Sequence, residues 1–186
     1  DLAAANIRTG VVLFGVAGAT PFAAVPKPGS TLNQQTGDDG AYQAGVAWPA
    51  PRFSTGAGTS SNGGTDHLTG LMWLRNPPST RLNWSNSLVY CEGLDGSIGR
   101  GGYTDWRLPN VREMQSLIDF ENRAPALPGD HPFLGMTTNT NEYWTGTSPY
   151  TGGGTKQNFA VSMDWGSTAH LNPTNLLCAW PVRGGF

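Results

Sequence analysis

Apolar residues recur along this chain in three different rhythms, and each rhythm predicts a different kind of element. From Gly10 to Ala24 the run Gly-Val-Val-Leu-Phe-Gly-Val-Ala-Gly-Ala-Thr-Pro-Phe-Ala-Ala is apolar on both alternate faces, with Val11, Leu13 and Ala17 on one and Val12, Phe14 and Val16 on the other. Its β-branched content favours one extended strand over a helix. A strand apolar on both faces calls for burial on both. Pro21, Pro26 and Pro28 then give a stiff, extended connector.

The middle of the chain changes rhythm. After the turn signal Gly37-Asp-Asp-Gly40 come Tyr42, Val46 and Trp48, then Pro49 and Pro51. The stretch 54–65 is nearly all Ser, Thr, Gly, Asn and Ala, which predicts an exposed loop. Leu68-Thr-Gly-Leu-Met-Trp-Leu74 reads as a core strand ended by Pro77-Pro78. Asn83 is placed to cap a helix in which Trp84, Leu88 and Cys91 share one face at i, i+4 and i+7, with Gly93 stopping it. Asn83-Trp-Ser85 also matches a glycosylation acceptor, but the same Asn opening a helix favours the cap. Asn110 and Glu113 stand at capping-box spacing before a second helix with Val111, Met114, Leu117 and Ile118 as its buried stripe.

Beyond Phe120 a Pro/Gly-rich stretch leads to short β segments at 142–145, 158–163 and 176–182. Two helices followed by short strands, with no βα alternation, predict an α+β fold. A chain of 186 residues is long enough for one sizeable core and short for two. The expected organisation is therefore an N-terminal arm over residues 1–25 and one domain over 26–186.

Composition narrows the function. Charged residues make up 13% of the chain against a usual level of about 25%, and the net charge is −2. There is no cluster of Lys or Arg to meet a phosphate backbone or an anionic lipid surface, so nucleic acid is not an expected partner. Val11–Ala24 is too short and too Gly-rich to span a membrane. Asp1 followed by Leu2-Ala-Ala-Ala reads as a processed N-terminus, with Arg8 ahead of the apolar run as the argument for an uncleaved signal sequence instead.

The two cysteines, Cys91 and Cys178, have no CxxC or Cys/His ligand spacing, so zinc is not expected. A disulfide between them would close nearly half the chain, worth about 4 to 5 kcal/mol in the chain-entropy model. It would imply an oxidising compartment. Two buried free thiols are the alternative.

No Gly-x-Ser-x-Gly elbow is present, and His67, His131 and His170 lie far apart. Gly56-Ala-Gly58 lacks the third glycine and the following helix of a phosphate loop. No catalytic centre, cofactor or metal is expected, with a calcium ion, for example at Asp38 and Asp39, left open. Tyr103, Trp106, Tyr143, Trp144 and Trp165 are weighed as a stacking platform. Tyr103, Tyr143 and Trp165 are the candidate ligand surface.

Several of these residues carry a family pattern. Thr69-Gly-Leu-Met-Trp73, Trp84 opening a helix, the run Gly102-Tyr-Thr-Asp-Trp-Arg-Leu-Pro-Asn110, Glu113 with Leu117-Ile118, Tyr143-Trp144, and Cys178 with Val182-Arg183 resemble the C-terminal domain family of the bacterial collagen-like adhesin Lcl. The lead-in through Pro26-Lys-Pro-Gly, Trp48-Pro49 and Arg52-Phe53 resembles what precedes it, so the likeness covers about residues 26–186. The resemblance implies a C-type-lectin-like fold, akin to formylglycine-generating enzymes: a small twisted antiparallel sheet, two helices, long loops, and a disulfide from first helix to last strand that would fall on Cys91 and Cys178. It also implies a secreted protein, with Trp106 and Trp144 as core anchors rather than ligand contacts.

The departures from that pattern bear on function. The Glu-Pro-Asn, Gln-Pro-Asp and Trp-Asn-Asp motifs of calcium-dependent sugar binding are missing, and Leu108-Pro-Asn110 and Asp164-Trp165 read as structural. The active-site cysteine pair of the formylglycine-generating enzymes is missing too.

Two functions compete. The first is a secreted structural subunit that polymerises head to tail into an extracellular filament. Its arm residues Val11, Val12, Leu13, Phe14, Val16 and Phe22 would be inserted in another copy, at a gain on the order of 10 kcal/mol. The second is an adhesin-type module binding glycans or a surface, with the loops 93–102 and 145–158 as its variable face.

Overall fold

The structure, a computed structural model, describes residues 25–56, 62–94, 102–136, 142–150, 152 and 154–185, with the backbone alone at 12–13 and 16–17. The fold is mixed α+β, as expected, but is built on two substantial sheets rather than one small one.

In the N-terminal run, β1 (Val12–Leu13) pairs antiparallel with β2 (Val16–Ala17), in the register Val12↔Ala17 and Leu13↔Val16. The single strand expected there is thus a hairpin. Phe14-Gly15 stands between the two halves in the sequence, and a glycine at that place suits a two-residue connection. The side chains of Val11, Val12, Leu13, Phe14, Val16 and Phe22 lie outside the described residues.

The lead-in is an ordered strap. A single-turn helix, α1 (Asp39–Tyr42), forms where a turn is expected, because the Asp38 carboxylate accepts the Ala41 N–H and so caps it. Val46 N–H donates to Val25 C=O, and Lys27 N–H donates to Val46 C=O. The strap is tied to the domain by Phe120 N–H on Pro28 C=O, by Thr31 N–H on the Glu121 carboxylate, and internally by the Trp48 indole N–H on Lys27 C=O.

Next come β3 (Phe53–Thr55), β4 (Gly63–Asp66), β5 (Met72–Leu74), β6 (Arg81–Leu82), α2 (Trp84–Glu92), α3 (Val111–Ser116), β7 (Glu142–Trp144), β8 (Asn158–Ser162), β9 (Thr168–Leu171), β10 (Leu177–Cys178) and β11 (Val182–Arg183). They form a four-stranded antiparallel sheet, β11-β5-β4-β3, and a five-stranded sheet, β6-β10-β7-β8-β9, in which β10 runs parallel to β7.

Both helices begin where their caps predict. The Asn83 side chain accepts the Asn86 N–H, and Asn110 and Glu113 form the reciprocal capping box. The strand expected from Leu68 to Leu74 is shorter, because the Asp66 carboxylate takes the Leu68 N–H and the Thr69 hydroxyl and folds 67–70 into a turn. Gly70 supplies the positive φ of 73° that closes it.

Alternation along the strands sorts the core into two layers. On one face of the five-stranded sheet, Trp144, Ala160, Leu177 and Ala179 pack under α2 with Cys91, Trp84 and Leu88. On the other, Tyr143, Val161, Cys178 and Trp180 pack against α3 and the four-stranded sheet. Trp180 sits where the chain passes from β10 to β11. It meets Trp73 at 5.4 Å, Phe133 at 4.9 Å and Tyr143 at 5.3 Å between ring centres, and its indole N–H donates to Leu74 C=O. Trp106 and Trp144 are buried core anchors, as expected.

That alternation also corrects the expected disulfide. Cys91 and Cys178 are both free, buried thiols. Residues 177 and 179 face α2 and residue 178 faces away, so the sheet itself stands between the two sulfurs.

Candidate binding surfaces

The charged residues of the specific run between Gly102 and Asn110 are spent on holding the fold. Asp105 accepts from Arg183 Nε at 2.6 Å, and the Arg183 guanidinium lies 3.7 Å from the Tyr103 ring centre. Arg107 forms a two-pronged ion pair with Glu113, at 2.8 and 2.6 Å, and donates to Gly184 C=O. Burial pushes the Glu113 carboxyl up, but the Arg107 guanidinium and the Asn110 N–H outweigh it and leave it below the usual range. Arg183 likewise holds the Asp105 carboxyl down.

A second bolt joins the lead-in to the domain. Arg52 and Asp66 are a fully buried ion pair at 3.1 Å, with side-chain exposures of 2% and 0%. The guanidinium also donates to Ser116 C=O and lies 4.4 Å from the Trp48 ring centre. Sequence reasoning missed this pair, since nothing local marks either residue as buried.

The three aromatics expected as a ligand surface are not brought together. Tyr143 is buried, its hydroxyl donating to Met136 Sδ, and burial raises its pKa. Tyr103 is half-buried between Arg183 and Trp106. Only Trp165 is open, at 62% exposure.

Trp165 is presented at the tip of the β8–β9 hairpin. Ser162 N–H bonds Ser167 C=O, and Gly166 N–H returns to Ser162 C=O. Gly166 has φ 71°, and a Cβ there would lie 2.5 Å from Ile118 Cγ2, so the turn docks tightly on the residues after α3. Ala124 N–H bonds Asp164 C=O at 3.0 Å, which brings the Arg123 guanidinium to 4.4 Å from the Trp165 ring centre. Trp165 and Arg123 then border a cavity of about 490 Å³ whose polar lining comes from Arg81, Glu142, Ser162 and Asp164. Glu142 and Ser162 are cross-strand partners on β7 and β8. This is an aromatic face beside two carboxylates, two guanidiniums and a hydroxyl, the mixture that holds a polyhydroxylated ligand by stacking and by hydrogen bonds in both directions. A smaller cavity of about 290 Å³ lies at the start of α2, beside Trp84, Ser85, Ser148, Lys156 and Asn158.

Other sequence candidates are placed plainly. The Asp38 carboxylate is taken by the Ala41, Gln34 and Gln35 N–H groups, which lower its pKa, and no group of His, Cys, Asp or Glu among the described residues is arranged to hold a metal ion. His131 stacks on Phe133 and His170 meets Phe159 edge-on. Residues 57–61 and 95–101, with most of the glycine loop and the first variable loop, lie outside the described residues.

Residues 63–183, more than half of the chain, match the family model described as the Lcl C-terminal domain. The chain belongs to the Lcl C-terminal domain family. No curated protein matches it. The matched region of this Lcl C-terminal domain begins at β4, so β3, the buried Arg52 and the whole strap lie ahead of it. Among the described residues no helix is long and apolar enough to cross a membrane.

Proposed function

We propose that this chain is a secreted, non-catalytic structural subunit, C-type-lectin-like in scaffold, that assembles head to tail into an extracellular filament through residues 1–25. One observation carries the reading: the strap pins the root of that segment to the outside of a core that does not use the strap. Both described core clusters draw on residues from Phe53 onward. The segment leaves at Val25, 79% exposed and bonded to the equally apolar Val46, 45% exposed. Leu32 and Tyr42 are open on the same strap. An apolar run rooted at an exposed point has burial to gain from a neighbouring copy. Sedimentation of the full chain across a wide concentration range tests this. Polymers that vanish in a Val11→Asp, Leu13→Asp variant are expected, and a wild-type chain that stays monomeric throughout overturns it.

A second reading, an adhesin-type glycan- or surface-binding module, is favoured by the Trp165 cavity. The two are compatible, since a filament can display binding sites along its length. In a glycan-array screen, Trp165→Ala is expected to weaken binding about thirtyfold, or ~2 kcal/mol, the loss of a central aromatic anchor. Equal binding by wild type and variant removes Trp165 from the site.

A further inference from the structure

β9 is an outer strand, paired with β8 alone. Ser162 N–H donates across this pair to Ser167 C=O at 2.8 Å. Phe159, by contrast, turns the other way: its N–H goes to Thr147 C=O and its C=O receives the Thr145 N–H. The alternation of an antiparallel ladder then directs Ser167, Ala169 and Leu171 inward and leaves the N–H and C=O of Thr168 and His170 facing away from the sheet. None of these four groups has a hydrogen-bond partner among the described residues. Nor does the strand carry a Pro, Lys or Arg, the residues that usually guard an open edge.

The other edges are less available. β11 is closed by Arg107, whose N–H and C=O both bond Val182 at 2.9 Å. β6 offers two residues. β3 follows directly on Arg52, where the Trp48 indole of the strap is stacked.

A matching strand exists in the same chain. The backbone at Val12–Leu13 and Val16–Ala17 is already in strand conformation, and a hairpin with strands of two residues is not stable by itself. From Thr9 to Val25 there is no charged residue. The twenty-four residues before Val25 can span about 80 Å when extended, enough to reach a neighbour about 40 Å across.

We infer that β9 is the acceptor edge for the N-terminal segment of a second copy of this chain, whose marginal two-residue hairpin opens so that residues 12–17 add as one strand to Thr168–Leu171 through the outward groups of Thr168 and His170. This rests on the head-to-tail reading above. Main-chain bonds hold the added strand, and the contact is heterologous: each copy has one segment to give and one edge to fill, so the assembly propagates.

The test uses the full chain in three forms: wild type, an edge variant, and a segment variant, Val12→Asp with Val16→Asp. His170→Pro removes one outward N–H and no bond of the β8–β9 ladder. His170→Lys guards the edge without touching the backbone, and it decides the matter where the proline variant fails to fold. In sedimentation velocity the wild type is expected to polymerise, and either variant alone to need at least a tenfold higher concentration. An equimolar mixture of the two variants is expected to stop at dimers, with the intact segment of one seated on the intact edge of the other. If His170→Lys polymerises as wild type does, or the mixture forms no dimer, β9 is not the acceptor even though self-assembly stands. If the wild type is monomeric at every concentration, with the Thr168 and His170 amides protected from exchange, the segment folds onto its own edge, and both this inference and the head-to-tail reading fall. If those amides exchange freely in such a monomer, both fall as well.

Discussion

Cys91 and Cys178 lie on opposite faces of one β-sheet. Leu177 and Ala179, the neighbours of Cys178, share the α2-side layer with Cys91, whereas Cys178 faces Tyr143 and Trp180. A shift of one residue along β10 would place the two sulfurs on the same side, so the distinction is one of strand parity, and spacing in the sequence could not reveal it.

Both thiols are therefore expected to be free but silent. Burial pushes the Cys91 thiol up to about 12 and raises that of Cys178 as well. A thiol reagent at neutral pH should find about zero reactive groups in the folded chain and two after denaturation, because the thiolate is the reacting form. No thiol released on denaturation would place the sulfurs in a bridge and contradict the parity assignment.

Removing one partner of the Arg52–Asp66 pair should be among the most damaging single changes in the domain. The pair is buried on both sides and shared with Ser116 C=O and the Asp66 turn. Asp66→Ala leaves a guanidinium buried without its counter-charge, at a cost of about 3–5 kcal/mol, read from the midpoint of denaturant unfolding. A loss under about 1 kcal/mol would show that the pair is not closed in solution.

The Glu113 carboxyl gives the fold an acid limit. Its folded pKa is depressed below the ordinary carboxylate value, so its contribution is fully present above that value and is lost as pH falls through the lower, folded one. Stability should therefore decline with acid below about pH 4.3, the ordinary Glu value. Glu113→Gln is expected to be less stable at pH 7 and to show a shallower acid decline. An unchanged acid slope would assign that dependence to other carboxylates.

What could be read in advance was local. Asn83 and Asn110 announce helix starts through their caps, and the apolar stripes of both helices follow from period alone. Trp106 and Trp144, flanked by polar residues, read correctly as core only through the family pattern they belong to. The Trp165 surface depends on Arg123 and Asp164 meeting through an Ala124 backbone bond, across some forty positions of chain. Arg52 and Asp66 are ordinary polar residues in sequence, and only the sheet register that pairs Phe53 with Asp66 draws them together. The edge of β9 was invisible for the same reason, since a strand is an edge only once its neighbours are known.

The reading of the chain as a self-assembling subunit is tested most directly by electron microscopy of two preparations: the full chain, and a chain starting at Val25. The account expects filaments from the first. From the second it expects a folded monomer that retains the near-ultraviolet signal of its packed tryptophans, because both described core clusters lie beyond the removed segment. Filaments from the shortened chain, or a shortened chain that cannot fold, would contradict it.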